Sequence, residues 1–101
     1  MQLQFTREEL KLVAEILEQQ AALRTDRLKA ASYALLDRVI SHDLGLAFDE
    51  LEDLEEILQS YGKLLQQQLV EAAPETKVLL GERERMLERV KDKVTEACAM
   101  V

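Results

Sequence analysis

Residues 48–65, FDELEDLEEILQSYGKLL, decide how the rest of the chain is read. As a helix, this stretch places Leu51, Leu54, Leu58, Tyr61 and Leu65 at alternating steps of three and four, and Ile57 and Leu64 widen the stripe. Such a seam faces a core or a partner. The opposite side carries Asp49, Glu52, Asp53 and Glu56 at i, i+3, i+4 and i+7, a row of carboxylates along one face.

That row holds much of the protein's net charge. The formal charge is −7, and seven acidic residues lie between Asp43 and Glu56, where no Lys or Arg occurs. Elsewhere the thirteen remaining acids match the thirteen bases. A concentrated negative field disfavours nucleic acid and anionic membrane at this face and favours a basic protein surface.

Composition sets the fold class. Among 101 residues there are 3 Gly and 1 Pro, and Leu, Glu, Gln, Ala, Lys and Arg dominate, so long helices are expected and strands are not. The length fits one domain, residues 1–101, large enough to bury a core without staples. The single cysteine, Cys98, excludes an internal disulfide and multi-thiolate zinc sites. With no basic leader, and no uncharged run near the ~20 residues that span a bilayer, a cytoplasmic location is expected.

Outward from the central stretch, Thr6 to Glu9 form a capping box, with Phe5 and Leu10 placed as a hydrophobic staple. From there Leu10, Val13, Leu17, Ala21, Leu28, Ala31, Leu35 and Val39 keep one phase, which predicts a single helix over about 6–42. The competing reading breaks it at Thr25 or Asp26, both good N-caps, but puts Arg27 and Lys29 in a first turn where the helix dipole disfavours them. A weaker stripe of Leu12, Ile16, Leu23, Ala30 and Ala34 lies opposite the main one and is the expected self-association surface. Gly45 reads as a left-handed helix stop and Asp49 as the next N-cap. Pro74 suits the first position of a last helix over about 75–100, antiparallel to its predecessor and carrying Leu80, Leu87, Val90, Val94, Ala97 and Val101, with Met86 beside them. Its segment ERERMLERVKDK alternates in sign outside that stripe, as a solvated face does.

Two blocks align internally. Residues 8–31 match 49–72 at an offset of 41, and 35–39 match 86–90 at an offset of 51, as a duplicated helical hairpin would. Shared Leu/Glu helix composition produces the same pattern.

No motif commits the chain to chemistry. Ser41, His42 and Asp43 are neighbours, whereas a triad joins residues distant in sequence. Arg38 and His42 share a helix face and faintly resemble the Arg-and-His motif of HEPN-type ribonucleases, at a shorter spacing and without its surrounding polar residues. The carboxylate row lacks the Glu-x-x-His pairs of di-metal bundles and the glycine-centred loop of calcium sites. Cys98 reads as a half-buried hydrophobe, and Tyr33 and Tyr61 as packing residues with hydroxyls at the rim.

The expectation is an all-α antiparallel bundle of three helices, or of four as two hairpins. It would serve as a non-enzymatic protein–protein interaction or adaptor module, a homodimer, with no cofactor, metal, nucleic acid, membrane or small-molecule substrate. The alternative is an acidic regulator whose Asp49, Glu52, Asp53 and Glu56 dock on a basic surface of a target.

Overall fold

The computed structural model describes residues 3–100, so the expected seam residue Val101 lies outside them, and shows four helices and no strand among the described residues. They are α1 (Arg7–Leu23), α2 (Leu28–Ile40), α3 (Phe48–Glu71) and α4 (Pro74–Met100). The closest packing joins α1 to α2 and α3 to α4, so the bundle is two hairpins. Helices α1 and α3 meet each other and lie centrally, whereas α2 and α4 do not touch.

The start of α1 follows the capping box. Thr6 Oγ1 accepts from the Glu9 N–H at 3.2 Å, and Glu9 Oε1 accepts from the Thr6 N–H at 2.8 Å. Phe5 and Leu10 are half-buried against the core.

The single helix over 6–42 does not form. After Leu23 the chain turns extended at Arg24 (φ −82°, ψ 150°), and Asp26 organises the next start by accepting the Leu28 N–H on its side chain (3.2 Å) and the Lys29 N–H on its carbonyl (3.0 Å). Arg24 fastens the corner. Its guanidinium donates to Gln20 Oε1 (3.1 Å), Asp26 Oδ2 (3.0 Å) and Ser60 Oγ of α3 (2.7 Å). The dipole penalty on Arg27 is met from outside its own helix: the side chain reaches Asp53 at 3.0 Å and Glu56 at 3.4 Å on α3.

Helix α2 ends by a different device from the expected Gly45 stop. Among the described residues, His42 (φ 57°) is the residue in the left-handed conformation and no glycine has positive φ. The His42 N–H donates to Val39 O (3.1 Å) and the Asp43 N–H to Arg38 O (2.9 Å), the paired bonds of a Schellman stop. A Cβ strains that position, so His42→Gly is expected to stabilise the fold by about 1 kcal/mol. Urea unfolding checks this as a rise in midpoint at constant slope.

The loop into α3 contributes to the core. Leu44 and Leu46 are each 7% exposed, and the Leu3 N–H donates to Leu44 O (3.3 Å), tying the lead-in to the loop. Their two-residue spacing, in an extended segment, points both leucines the same way. Helix α3 begins at Phe48, one residue before the expected cap. Asp49 lies inside the first turn, and Glu50 accepts the Ala47 N–H (2.9 Å) as one arm of a capping box. Pro74 opens α4 directly after a two-residue turn, as its fixed φ favours.

The seam read from residues 48–65 lies inside: Leu51, Leu54, Ile57, Leu58 and Leu65 are at most 2% exposed, and Tyr61 is buried with its hydroxyl accepting from Arg83 Nε. They meet Val13, Ile16 and Leu17 of α1, Leu28, Leu35 and Val39 of α2, and Leu87, Val90 and Val94 of α4 in one cluster. Tyr33, at 51% exposed, is less enclosed than the expected packing residue.

Helix lengths leave an overhang. At ~1.5 Å per residue α4 is about 40 Å long, matching the 40 Å long axis of the molecule, whereas α2 is about 20 Å. The tip of the α3–α4 hairpin therefore outruns its partners. Every residue from Ala73 to Leu79 is exposed.

The two sequence blocks map partly onto this plan. Offset 41 superposes the starts of α1 and α3, including Glu9 on Glu50 in the same capping role. It fails beyond, because residues 24–27, which turn the first hairpin, fall on residues 65–68 in the middle of α3.

Candidate functional site

The acidic row is the feature most exposed to a partner's charge. Asp49, Glu52, Asp53 and Glu56 share a shallow depression of about 510 Å³ with Glu55, Gln59 and Arg27 on the first turns of α3. The row is less naked than its sequence. Arg27 bridges Asp53 and Glu56, and hydrogen bonding to Asp53, followed by the charges around it, raises the Arg27 pKa. Arg38 binds Glu50 at 2.8 Å and Asp43 at 3.2 Å, and also donates to Gly45 O at 2.9 Å. Glu55 accepts from Thr95 Oγ1 at 3.2 Å. Among the described residues, Asp49 and Glu52 are the acids of this segment left exposed with no ion pair.

The helix-end pair Arg38 and His42 serves the fold. Arg38 clips the α2 stop to the head of α3, and His42 supplies the left-handed residue between them. Among the described residues no group of three or more His, Cys, Asp or Glu side chains is placed to hold a metal ion, and no helix is long and apolar enough to cross a membrane. Burial, then the carboxylates of Glu55 and Glu52, push the Cys98 thiol up, opposite to the shift of an activated thiolate.

The expected self-association face does not exist as one surface. Leu12 (4% exposed) and Ile16 (0%) are spent in the core, whereas Leu23 (64%), Ala30 and Ala34 lie outside it. The reversal at residues 24–27 carries Ala30 and Ala34 onto α2, and Leu23 ends α1 beside it.

Besides Leu23, Ile40, Phe48 and Met100, uncovered apolar side chains occur at the overhang, where Val70, Val78 and Leu79 are 81%, 63% and 68% exposed. Leu79 continues into a groove of about 300 Å³ between α1 and α4, lined by Leu12, Leu79 and Met86 and edged by charges of both signs. The sequence reading missed this surface because Val78 and Leu79 look like ordinary positions of an amphipathic helix. The signal was length: the hairpin's arms exceed those of the first.

Helix α4 is held to α1 by two polar ties. Arg83 donates to Glu15 at 2.9 Å and to the Tyr61 hydroxyl, and lies over the Tyr61 ring at 5.7 Å. Lys93 binds Glu9, itself 3% exposed, and lies 5.8 Å from the Phe5 ring centre.

Comparison with protein-family models, with curated proteins and with solved structures finds no match for this chain.

Proposed function

We propose that this protein is a non-enzymatic interaction module that contacts protein partners, including further copies of itself, through the projecting α3–α4 hairpin. The supporting observation is the overhang: Val70, Val78 and Leu79 are displayed at a tip that neither α1 nor α2 covers. Grouped large apolar side chains at a projecting end mark contact surfaces in soluble proteins. Rigid packing behind them, down to fully buried Ile57, Leu58 and Val90, lets the tip present its surface without folding on contact.

The test compares wild type with Val78→Glu/Leu79→Glu in capture from a lysate of the source cell, with helicity and melting temperature followed for both. Loss of captured protein in a variant that stays folded is the expected result. Equal capture by both proteins, or none by either, sinks the reading.

Docking of the acidic row on a basic target is the second reading, and it draws on the exposed, unpaired Asp49 and Glu52. Neutralising Asp49, Glu52, Asp53 and Glu56 together separates the two. Under this reading capture collapses and loses its salt dependence, and under the first it survives.

A further inference from the structure

The outer face of α4 carries an arrangement that, apart from Met86, which packs against the core, neither the core nor the polar ties to α1 use. Glu75, Val78, Leu79, Glu82, Arg85, Met86 and Arg89 fall within about 120° on the helix wheel, one continuous stripe. Glu75, Val78, Leu79, Glu82, Arg85 and Arg89 are exposed, and Met86 is half-buried beside the groove. Among the described residues none of Glu75, Glu82, Arg85 and Arg89 takes part in an ion pair, although Arg24, Arg27, Arg38 and Arg83 all do.

Their order along the helix is informative. The two acids, Glu75 and Glu82, come first with Val78 and Leu79 between them, and the two bases, Arg85 and Arg89, come last with Met86 between them. A stripe that changes sign along its length complements a copy of itself laid antiparallel across a two-fold axis.

We infer that this face is the site of self-association, an isologous antiparallel pairing of α4 with α4 of a second copy. This rests on reading the molecule as an interaction module. With the axis passing at Glu82, Glu75 lies opposite Arg89 of the second copy, Val78 opposite its Met86, and Leu79 along the stem of its Arg85. Each contact occurs twice. The Glu82 carboxylates meet at the axis, each within one turn of the other copy's Arg85. The groove beside Met86 and Leu79 seats the incoming helix, with Glu8, Lys11 and Glu15 of α1 on its rim.

Three apolar side chains per copy place the contact among the small, transient interfaces, below ~1,200 Å² in total, so micromolar dissociation is expected.

Charge swapping tests it on the full chain by sedimentation equilibrium over a wide concentration range. Glu75→Arg and Arg89→Glu, each alone, set like charges opposite twice and are expected to raise the dissociation constant about ten-fold or more. The double variant Glu75→Arg/Arg89→Glu restores both pairs with exchanged sign and is expected to return within about three-fold of wild type. Since an arginine in place of Glu75 would stand in the first turn of α4, where the dipole disfavours it, Glu75→Gln serves as a second single variant and is expected to weaken the dimer less.

A wild-type chain monomeric to about 1 mM, which is beyond the affinity of any specific contact of this size, overturns the inference. So does a double variant that stays dissociated. If Val78→Glu/Leu79→Glu nevertheless abolishes lysate capture, the pairing falls and the module reading stands; if wild type captures nothing either, both fall.

Discussion

Ile16→Ala is expected to lower the stability of the isolated chain by about 2–5 kcal/mol, a large share of the ~5–15 kcal/mol typical of a domain this size. Ile16 is fully buried in the cluster that α1 forms with the other helices, where the removed atoms leave a cavity that fixed helices cannot close. The loss should be the same at low and high protein concentration, because the side chain is enclosed by its own chain. Were Ile16 part of a self-association surface, the substitution would instead leave the monomer nearly unaffected and change only the oligomer. Urea unfolding at two concentrations differing about a hundred-fold decides between them.

The second large effect concerns Glu9. Burial raises its pKa, but the bonds from Lys93 and the Thr6 N–H, the Lys93 charge and the Thr6 hydroxyl outweigh that, and the carboxyl is held below its ordinary 4.5. A carboxyl depressed in the folded state binds its proton more tightly when unfolded. Its contribution is therefore complete above about pH 4.5 and is lost as pH falls through the lower folded value. Glu9→Ala removes one arm of the capping box and the partner of Lys93 together, and a loss of about 2–3 kcal/mol at pH 7 is expected. Glu9→Gln, which can still accept from Thr6, should lose less and should flatten the acid limb of the stability–pH curve. Wild-type and variant curves that stay parallel from pH 7 to pH 3 would show that the ion pair contributes nothing.

Much of the architecture can be read from residue spacing, because local signals and burial agree over long stretches. The Thr6–Glu9 box starts α1, the stripe from Leu51 to Leu65 enters the core, and Pro74 opens α4. The failure at residues 24–27 has a geometric cause. Helical phase is counted in residues, and four residues of irregular chain advance that count by about one turn, so Leu28, Leu35 and Val39 stay in step with Val13 and Leu17 although α2 runs the other way. Arg27 reinforced the error. Its position disfavours a helix start, but its side chain pairs with Asp53 and Glu56, which come within reach only after the reversal.

The same reversal explains what was legible in the acidic row. Carboxylate spacing is local and was visible; neutralisation by Arg27 and Arg38 depends on tertiary placement and was not. The apolar tip was hidden for a related reason, since exposure of Val78 and Leu79 depends on where other helices end. His42 shows a preference overridden by context: Gly45 is the better left-handed residue, but the paired bonds from His42 and Asp43 and the Arg38 clip fix the stop three residues earlier.

The concentration of packing within each hairpin bears on how the chain reaches its native state. Helices that pair with their immediate successors require only short loops to close, and closing entropy grows with loop length. Contact order is accordingly low, in the range of chains that fold in microseconds to milliseconds. The leading hairpin is complete at Ile40, so during synthesis it can assemble before the ribosome has delivered the trailing one.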